Sequence, residues 1–228
     1  MPPMRSRDTT ATHRRRMERF TAAGLYVVTS ETLSAGRSTL EVIEGVLRGG
    51  GRLIQLREKD RATGDLVALA RRVREMTAAA EALLIVNDRL DVAMAVGADG
   101  VHLGRDDLPI ADARRLAPDL IIGASSHSQS EAVAAQESGA SYVNIGPIFP
   151  THTKTWSHAF LGIEGLRAIA PYVTIPFTVM GGIKRRHIPD LLAAGARTIA
   201  VVTAVTGSDD PEDATHDLLA AIQSGRTG

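Results

Sequence analysis

Eight short apolar runs punctuate this chain, and their spacing limits its fold more than any other feature. They are "GLYVVTS" (24–30), "RLIQLRE" (52–58), "LLIVND" (83–88), "DGVHLG" (99–104), "LIIGASS" (120–126), "YVNIGPI" (142–148), "PFTVMGG" (176–182) and "TIAVVTA" (198–204). Each is the length of a strand and short for a helix. Near-continuous Val, Ile and Leu marks strands buried on both faces, as in a parallel sheet covered by its crossover helices. Stretches of helical period lie between the runs. "TLEVIEGVLRGG" puts Leu40, Ile43 and Leu47 on one face, and "TGDLVALARRVREMTAAA" does so with Leu66, Leu69, Ala70 and Val73. "SQSEAVAAQESGA" opens on a serine cap, Ser128 or Ser130, and closes on Gly139, and "RHIPDLLAAGA" reads as punctuated in the same way. Eight β-then-α units predict the α/β class and a single-domain (β/α)8 TIM barrel over residues 21–228. An open doubly wound sheet is the alternative, but the GxGxxG turn typical of it does not follow the first run.

The totals exclude several functions. Lys+Arg and Asp+Glu number 26 each, so no global field attracts nucleic acid, and no nucleic-acid partner is expected. With no cysteine, disulfides, thiolate catalysis and cysteine-bound zinc are excluded. No apolar run approaches the ~20 residues of a membrane span, and no signal-peptide core follows the start. A cytoplasmic protein without a membrane partner is the expectation. Residues 1–20 hold six Arg against Asp8 and Glu18, and read as a basic leader, either flexible or an N-terminal helix. The sequence leaves oligomeric state open, a homo-oligomer included.

Polar residues gather where the runs stop. Gln55, Arg57, Glu58 and Lys59 end the second, and Asn87 and Asp88 the third. Asp106 and Asp107 follow the fourth; Ser125, Ser126 and His127 end the fifth. Thr151, Thr153 and Lys154 follow the sixth, Gly181 and Gly182 end the seventh, and Thr203 ends the eighth. In a parallel barrel these ends share the face that carries active sites. Arg57, Lys59 and Lys154 are donors suited to phosphate oxygens. Asp88 and Asp107 offer hard oxygens suited to Mg²⁺, which takes one or two carboxylates plus substrate phosphates. The glycines after the seventh run suit close approach of backbone N–H groups to a second phosphate. Plainer roles stand beside these. Arg57 and Lys59 can pair with Glu58 and Asp60; Asp88, Asp91, Asp106 and Asp107 stand where they would cap helices; His102 fits a core histidine, and His127 a cap neighbour.

The segments "QLREK" (55–59), "NDR" (87–89), "ADGVHLGRDDL" (98–108), "GASSH" (123–127), "YVNIGPIFPTHTK" (142–154), "GGI" (181–183) and "VVTAV" (201–205) resemble the thiamine-phosphate synthase family, in order and at matching spacing. The resemblance implies a Mg²⁺-assisted union of hydroxymethylpyrimidine pyrophosphate with hydroxyethylthiazole phosphate. It implies that Gln55, Arg57, Lys59, Asn87, Ser125 and Lys154 bind the pyrimidine partner. Arg57, Lys59, Lys154 and Ser125 would carry the chemistry, and Asp88 and Asp107 would hold Mg²⁺. It assigns Thr151, Thr153, Gly182, Val202 and Thr203 to the thiazole phosphate, and the polar, Gly-bounded stretch 151–162 reads as a lid. Three alternatives remain: a thiazole tautomerase relative, which carries His where Pro147 stands; a barrel using Lys154 as a Schiff-base lysine; and a non-catalytic barrel binding thiamine phosphate. Ser30, where the family often has Asp, and Met180, where a smaller or branched residue is usual, depart from the pattern.

Overall fold

The computed structural model describes residues 10–151, 153 and 159–227, the side chain of Thr227 excepted. Each apolar run becomes a strand: β1 Leu25–Val28, β2 Leu53–Leu56, β3 Leu83–Asn87, β4 Gly100–Leu103, β5 Ile121–Ser126, β6 Tyr142–Ile145, β7 Phe177–Val179 and β8 Thr198–Val201. Every strand pairs in parallel with the next, and β8 pairs with β1 through Leu25↔Ile199 and Tyr26↔Ala200. That last pairing closes a (β/α)8 barrel and excludes the open sheet. The helices are α1 Ala11–Ala23, α2 Thr39–Arg48, α3 Thr63–Ala79, α4 Leu90–Ala95, α5 Ile110–Leu116, α6 Gln129–Glu137, α7 Gly162–Ile169, α8 Ile188–Ala193, α9 Thr203–Thr206 and α10 Pro211–Thr227.

Local chemistry sets some helix starts. Ser38 and Glu41 form a reciprocal capping box on α2, and Ser128 caps α6 by accepting from the Glu131 N–H at 3.2 Å. The expected cap on α8 is absent: that helix grows out of a 3-10 turn at Arg185–His187 with proline in its first turn, where no N–H is needed. On α2 the buried face centres on Val42, Ile43 and Val46, leaving Leu40 and Leu47 half-buried at its edges.

Side chains alternate across each strand. Val27, Ile54, Leu84, Val86, Val101, Ile122, Val143 and Ile199 point outward into the layer between strands and helices. Tyr26, Leu53, Leu83, Ile85, Ile121, Tyr142 and Ala200 form a separate cluster inside the barrel. Part of the basic leader completes that inner core. Met17, Phe20 and Ala23 of α1 lie against it, and the Phe20 ring sits 4.4 Å from that of Tyr142. Arg16 ties α1 down by donating to Asp99 at 3.3 Å and to the Asp119 carbonyl at 2.9 Å. Asp99, 4% exposed, also accepts from Arg74 at 2.8 Å and from the Leu84 N–H at 3.0 Å. With one end of the barrel plugged by Phe20, the cavity opens at the C-terminal ends of the strands. No described helix is long and apolar enough to cross a membrane.

Candidate active site

The same alternation places Gln55, Asn87, His102, Ser125 and Asn144 on the inner face near those C-terminal ends, where all five line one cavity. Gln55 is 2% exposed and donates through Nε2 to the Tyr26 hydroxyl at 2.7 Å. His102 lies between the Tyr142 hydroxyl, 2.9 Å from Nδ1, and Ser125 Oγ, 3.0 Å from Nε2. It is both a satisfied core histidine and part of the cavity wall. Burial lowers its pKa to about 4, so the ring is neutral at neutral pH. Asn144 Oδ1 accepts from the Thr178 hydroxyl at 2.8 Å, which fixes the amide.

Charged groups concentrate at the mouth above β2, β3 and β4. Arg57 and Lys59 line the cavity, whereas Glu58 turns away. Its carboxylate accepts from the Thr29 hydroxyl at 2.8 Å, the Thr39 hydroxyl at 2.9 Å and the Glu31 N–H at 3.0 Å. Glu58 therefore holds the loop in shape and leaves the Arg57 guanidinium for the cavity. Lys59 Nζ lies 3.5 Å from Asp88 Oδ2.

Neither proposed metal ligand serves as a helix cap. Asp88 has φ 61, a left-handed conformation that Asp tolerates better than most residues, and α4 begins after Arg89 without a side-chain cap. Asp91 instead pairs with Arg89. Asp107 Oδ2 accepts from the Gly104 N–H at 2.7 Å, while α5 starts from Pro109. Asp106 faces solvent beside Arg105. Burial raises the Asp107 pKa, the Gly104 N–H opposes that, and the neighbouring Asp88 carboxyl raises it further. Two crowded carboxyls with hard oxygens fit Mg²⁺, whose remaining positions phosphate and water would fill. Among the described residues no cluster of three or more His, Cys, Asp or Glu forms a metal cage.

The other side of the mouth is built from backbone. The loop after β6 is stitched to the end of β7 by Ile148 N–H donating to Met180 O at 2.8 Å and Phe149 N–H donating to Gly181 O at 3.0 Å. This brings Thr151 and Thr153 to the same cavity as Gly182, Val202 and Thr203. The Thr151 hydroxyl donates to Thr153 Oγ1 at 3.2 Å. Gly182 has φ +61, and a Cβ there would strike the Pro150 carbonyl oxygen and come 2.8 Å from that of Phe149. Only a glycine lets the two loops meet so closely. Thr203 opens the single-turn helix α9, whose first N–H groups have no intrahelical acceptor.

Twelve of the thirteen site residues expected from the sequence thus line one cavity, and the thirteenth, Lys154, lies outside the described residues. The lid expectation falls in part outside them, at residues 152 and 154–158. His127 lines the cavity and pairs with Glu131 at 2.9 Å. Of the two departures, Ser30 accepts through its backbone carbonyl from the Ser34 hydroxyl, and Met180 lines the cavity. Asn144, Arg105 and Lys184 line it too and were not singled out. Alternation gave a signal for Asn144, which occupies the same register as Ser125 on the neighbouring strand.

A closed barrel with cations and carboxylates at one side of its mouth, and glycine and hydroxyls at the other, fits a (β/α)8 enzyme acting on small molecules. Comparison with known proteins narrows that class. The family model described as thiamine monophosphate synthase matches residues 25–205. A thiamine-phosphate synthase of Chloroflexus aurantiacus is 48% identical over 198 residues, covering 87% of this chain and 92% of its own. One from Shouchella clausii is 42% identical over 200 residues, covering 87% and 96%. The solved thiamine phosphate pyrophosphorylase from Pyrococcus furiosus superposes with a TM-score of 0.83 at 38% identity, covering 91% of this chain and 98% of that one. The chain belongs to the thiamine monophosphate synthase family.

Proposed function

We propose that this chain joins hydroxymethylpyrimidine pyrophosphate to hydroxyethylthiazole phosphate, giving thiamine phosphate and pyrophosphate. The observation that supports this most is a single cavity with two chemically distinct anion-handling sides. Arg57, Lys59, Asp88 and Asp107 stand at one, and Thr151, Thr153, Gly182 and Thr203 at the other. A polar floor of Gln55, Asn87, His102 and Ser125 lies between them. Two phosphorylated substrates meeting over a flat heterocycle need that layout.

The reaction breaks a C–O bond to pyrophosphate and forms a C–N bond to the thiazole nitrogen. That nitrogen already carries its lone pair, so no general base is needed to activate it. The obstacle is departure of pyrophosphate from a benzylic-type carbon, which an electron-rich aminopyrimidine eases by supporting positive charge. Arg57 and Lys59 would bind the leaving group and stabilise the negative charge that grows on it, and Lys154 would join them by family resemblance. Asp88 and Asp107 would hold Mg²⁺, which when bound supplies further neutralisation of the pyrophosphate oxygens. Thr151, Thr153, Gly182 and the backbone at Val202 and Thr203 would fix the thiazole phosphate and aim its nitrogen at the reacting carbon. The test is formation of thiamine phosphate, followed by mass spectrometry, from the two partners together. Product only when both are present supports the reading; none with active relatives run in parallel refutes it.

A further inference from the structure

The cavity floor is one end of a hydrogen-bonded chain crossing the barrel. Gln55 Nε2 is 2.7 Å from the Tyr26 hydroxyl, which is 2.9 Å from that of Tyr142. Tyr142 is 2.9 Å from His102 Nδ1, and His102 Nε2 is 3.0 Å from Ser125 Oγ. Gln55, His102 and Ser125 line the cavity, whereas Tyr26 and Tyr142 are sealed at 1% and 0% exposure. The Tyr142 ring is clamped by Phe20 on one side and by the backbone of Gly123, where a Cβ would collide with the ring.

Counting protons gives the chain a direction. An amide NH2 only donates, so Tyr26 accepts from Gln55 and passes its single proton to Tyr142. Tyr142 then donates to His102 Nδ1, the ring proton sits on Nε2, and Nε2–H donates to Ser125 Oγ. Ser125 keeps its own proton, for which no acceptor stands among the described residues. At the far end, Gln55 Oε1 is left as an acceptor; among the described residues the buried side-chain polar atom without a partner is His13 Nδ1, so Gln55 Oε1 is not sealed. With Gln55 donating, reversing the later links would strand the buried Tyr26 hydroxyl proton without an acceptor.

We propose that Tyr26, Tyr142 and His102 are positioning residues that lock the floor's polarity, holding Gln55 Oε1 as an acceptor and the Ser125 hydroxyl as a donor toward a bound heterocycle. This rests on reading the floor as the pyrimidine subsite. An aminopyrimidine carries N–H donors and ring-nitrogen acceptors, and meets both ends at once. A ring with the opposite arrangement would leave two buried groups unpaired, the strongest form of discrimination such a site has.

The decisive experiment reads the His102 tautomer by ¹⁵N NMR of the ligand-free, histidine-labelled protein, assigned with His102→Gln. The expected result is Nε2–H in the wild type and loss of that preference in Tyr142→Phe, which keeps the ring packing but removes the hydroxyl. An Nδ1–H wild type overturns the relay. In turnover, Tyr142→Phe should raise KM for the pyrimidine pyrophosphate about tenfold and leave KM for the thiazole phosphate unchanged. Adding Ser125→Ala to it should cost less than Ser125→Ala alone, because the two act through one chain. Fully additive losses overturn the coupling. A wild type that binds no aminopyrimidine overturns the proposed function, while the tautomer still decides the relay.

Discussion

Gly182→Ala tests how the two loops build the proposed phosphate cradle. The backbone there has φ +61, and the added methyl would meet the carbonyl oxygens of Pro150 and Phe149. A left-handed Ala and the displacement of a packed loop together cost about 2–4 kcal/mol. For a domain of this size that lowers Tm by about 5–12 °C. The loop that must yield carries Thr151 and Thr153, so KM for the thiazole phosphate should rise by about tenfold or more, with KM for the pyrimidine partner little changed. Scanning calorimetry and steady-state kinetics on the purified variant read both effects. A variant with wild-type Tm and wild-type thiazole KM refutes the close approach. A variant that loses stability but keeps its thiazole KM refutes the cradle while leaving the packing intact.

Three further outcomes follow from the geometry. Phe20→Ala removes the plug beneath Tyr26 and Tyr142 and should destabilise the fold by about 3–5 kcal/mol in urea unfolding; a loss under 1 kcal/mol, within the range of an ordinary exposed substitution, would mean α1 is only draped on the barrel. Asp99→Ala leaves Arg16, Arg74 and the Leu84 N–H without their shared acceptor and should cost about 3 kcal/mol in the same assay; near-neutral behaviour would assign those contacts to the surface. Asp88→Asn keeps the shape at φ 61 but removes a charge, so half-maximal activity should need about tenfold more Mg²⁺; an unchanged metal titration removes Asp88 as a ligand.

The barrel was legible because parallel strands buried on both faces must be apolar throughout, and eight such runs leave few arrangements. The mouth was legible because a parallel barrel puts every strand's C-terminal end on one face. Roles that depend on backbone direction were not legible. Asp88 and Asp107 stood at plausible cap positions, and only the φ of Asp88 and the starts of α4 and α5 release them to the cavity. Glu58 looked like the natural partner of Arg57, yet it is drawn away by Thr29, Thr39 and Glu31, residues distant in sequence. Nothing in the pattern of the strands marked Tyr26 and Tyr142. Their hydroxyls meet across the barrel from strands 116 residues apart, a contact that exists only once the sheet closes. The Arg-rich composition of the leader hid the apolar face of α1, where Met17 and Phe20 enter the inner core.

In the proposed reaction one cavity brings a pyrimidine pyrophosphate and a thiazole phosphate together and expels pyrophosphate. The most direct measurement is pyrophosphate release, followed continuously with a coupled phosphate assay, with each substrate alone and with both, in Mg²⁺ and after chelation. One pyrophosphate per thiamine phosphate is expected, with sustained release that needs both substrates and falls steeply on chelation. Tight binding of thiamine phosphate without any pyrophosphate release would contradict it and make the barrel a binding protein.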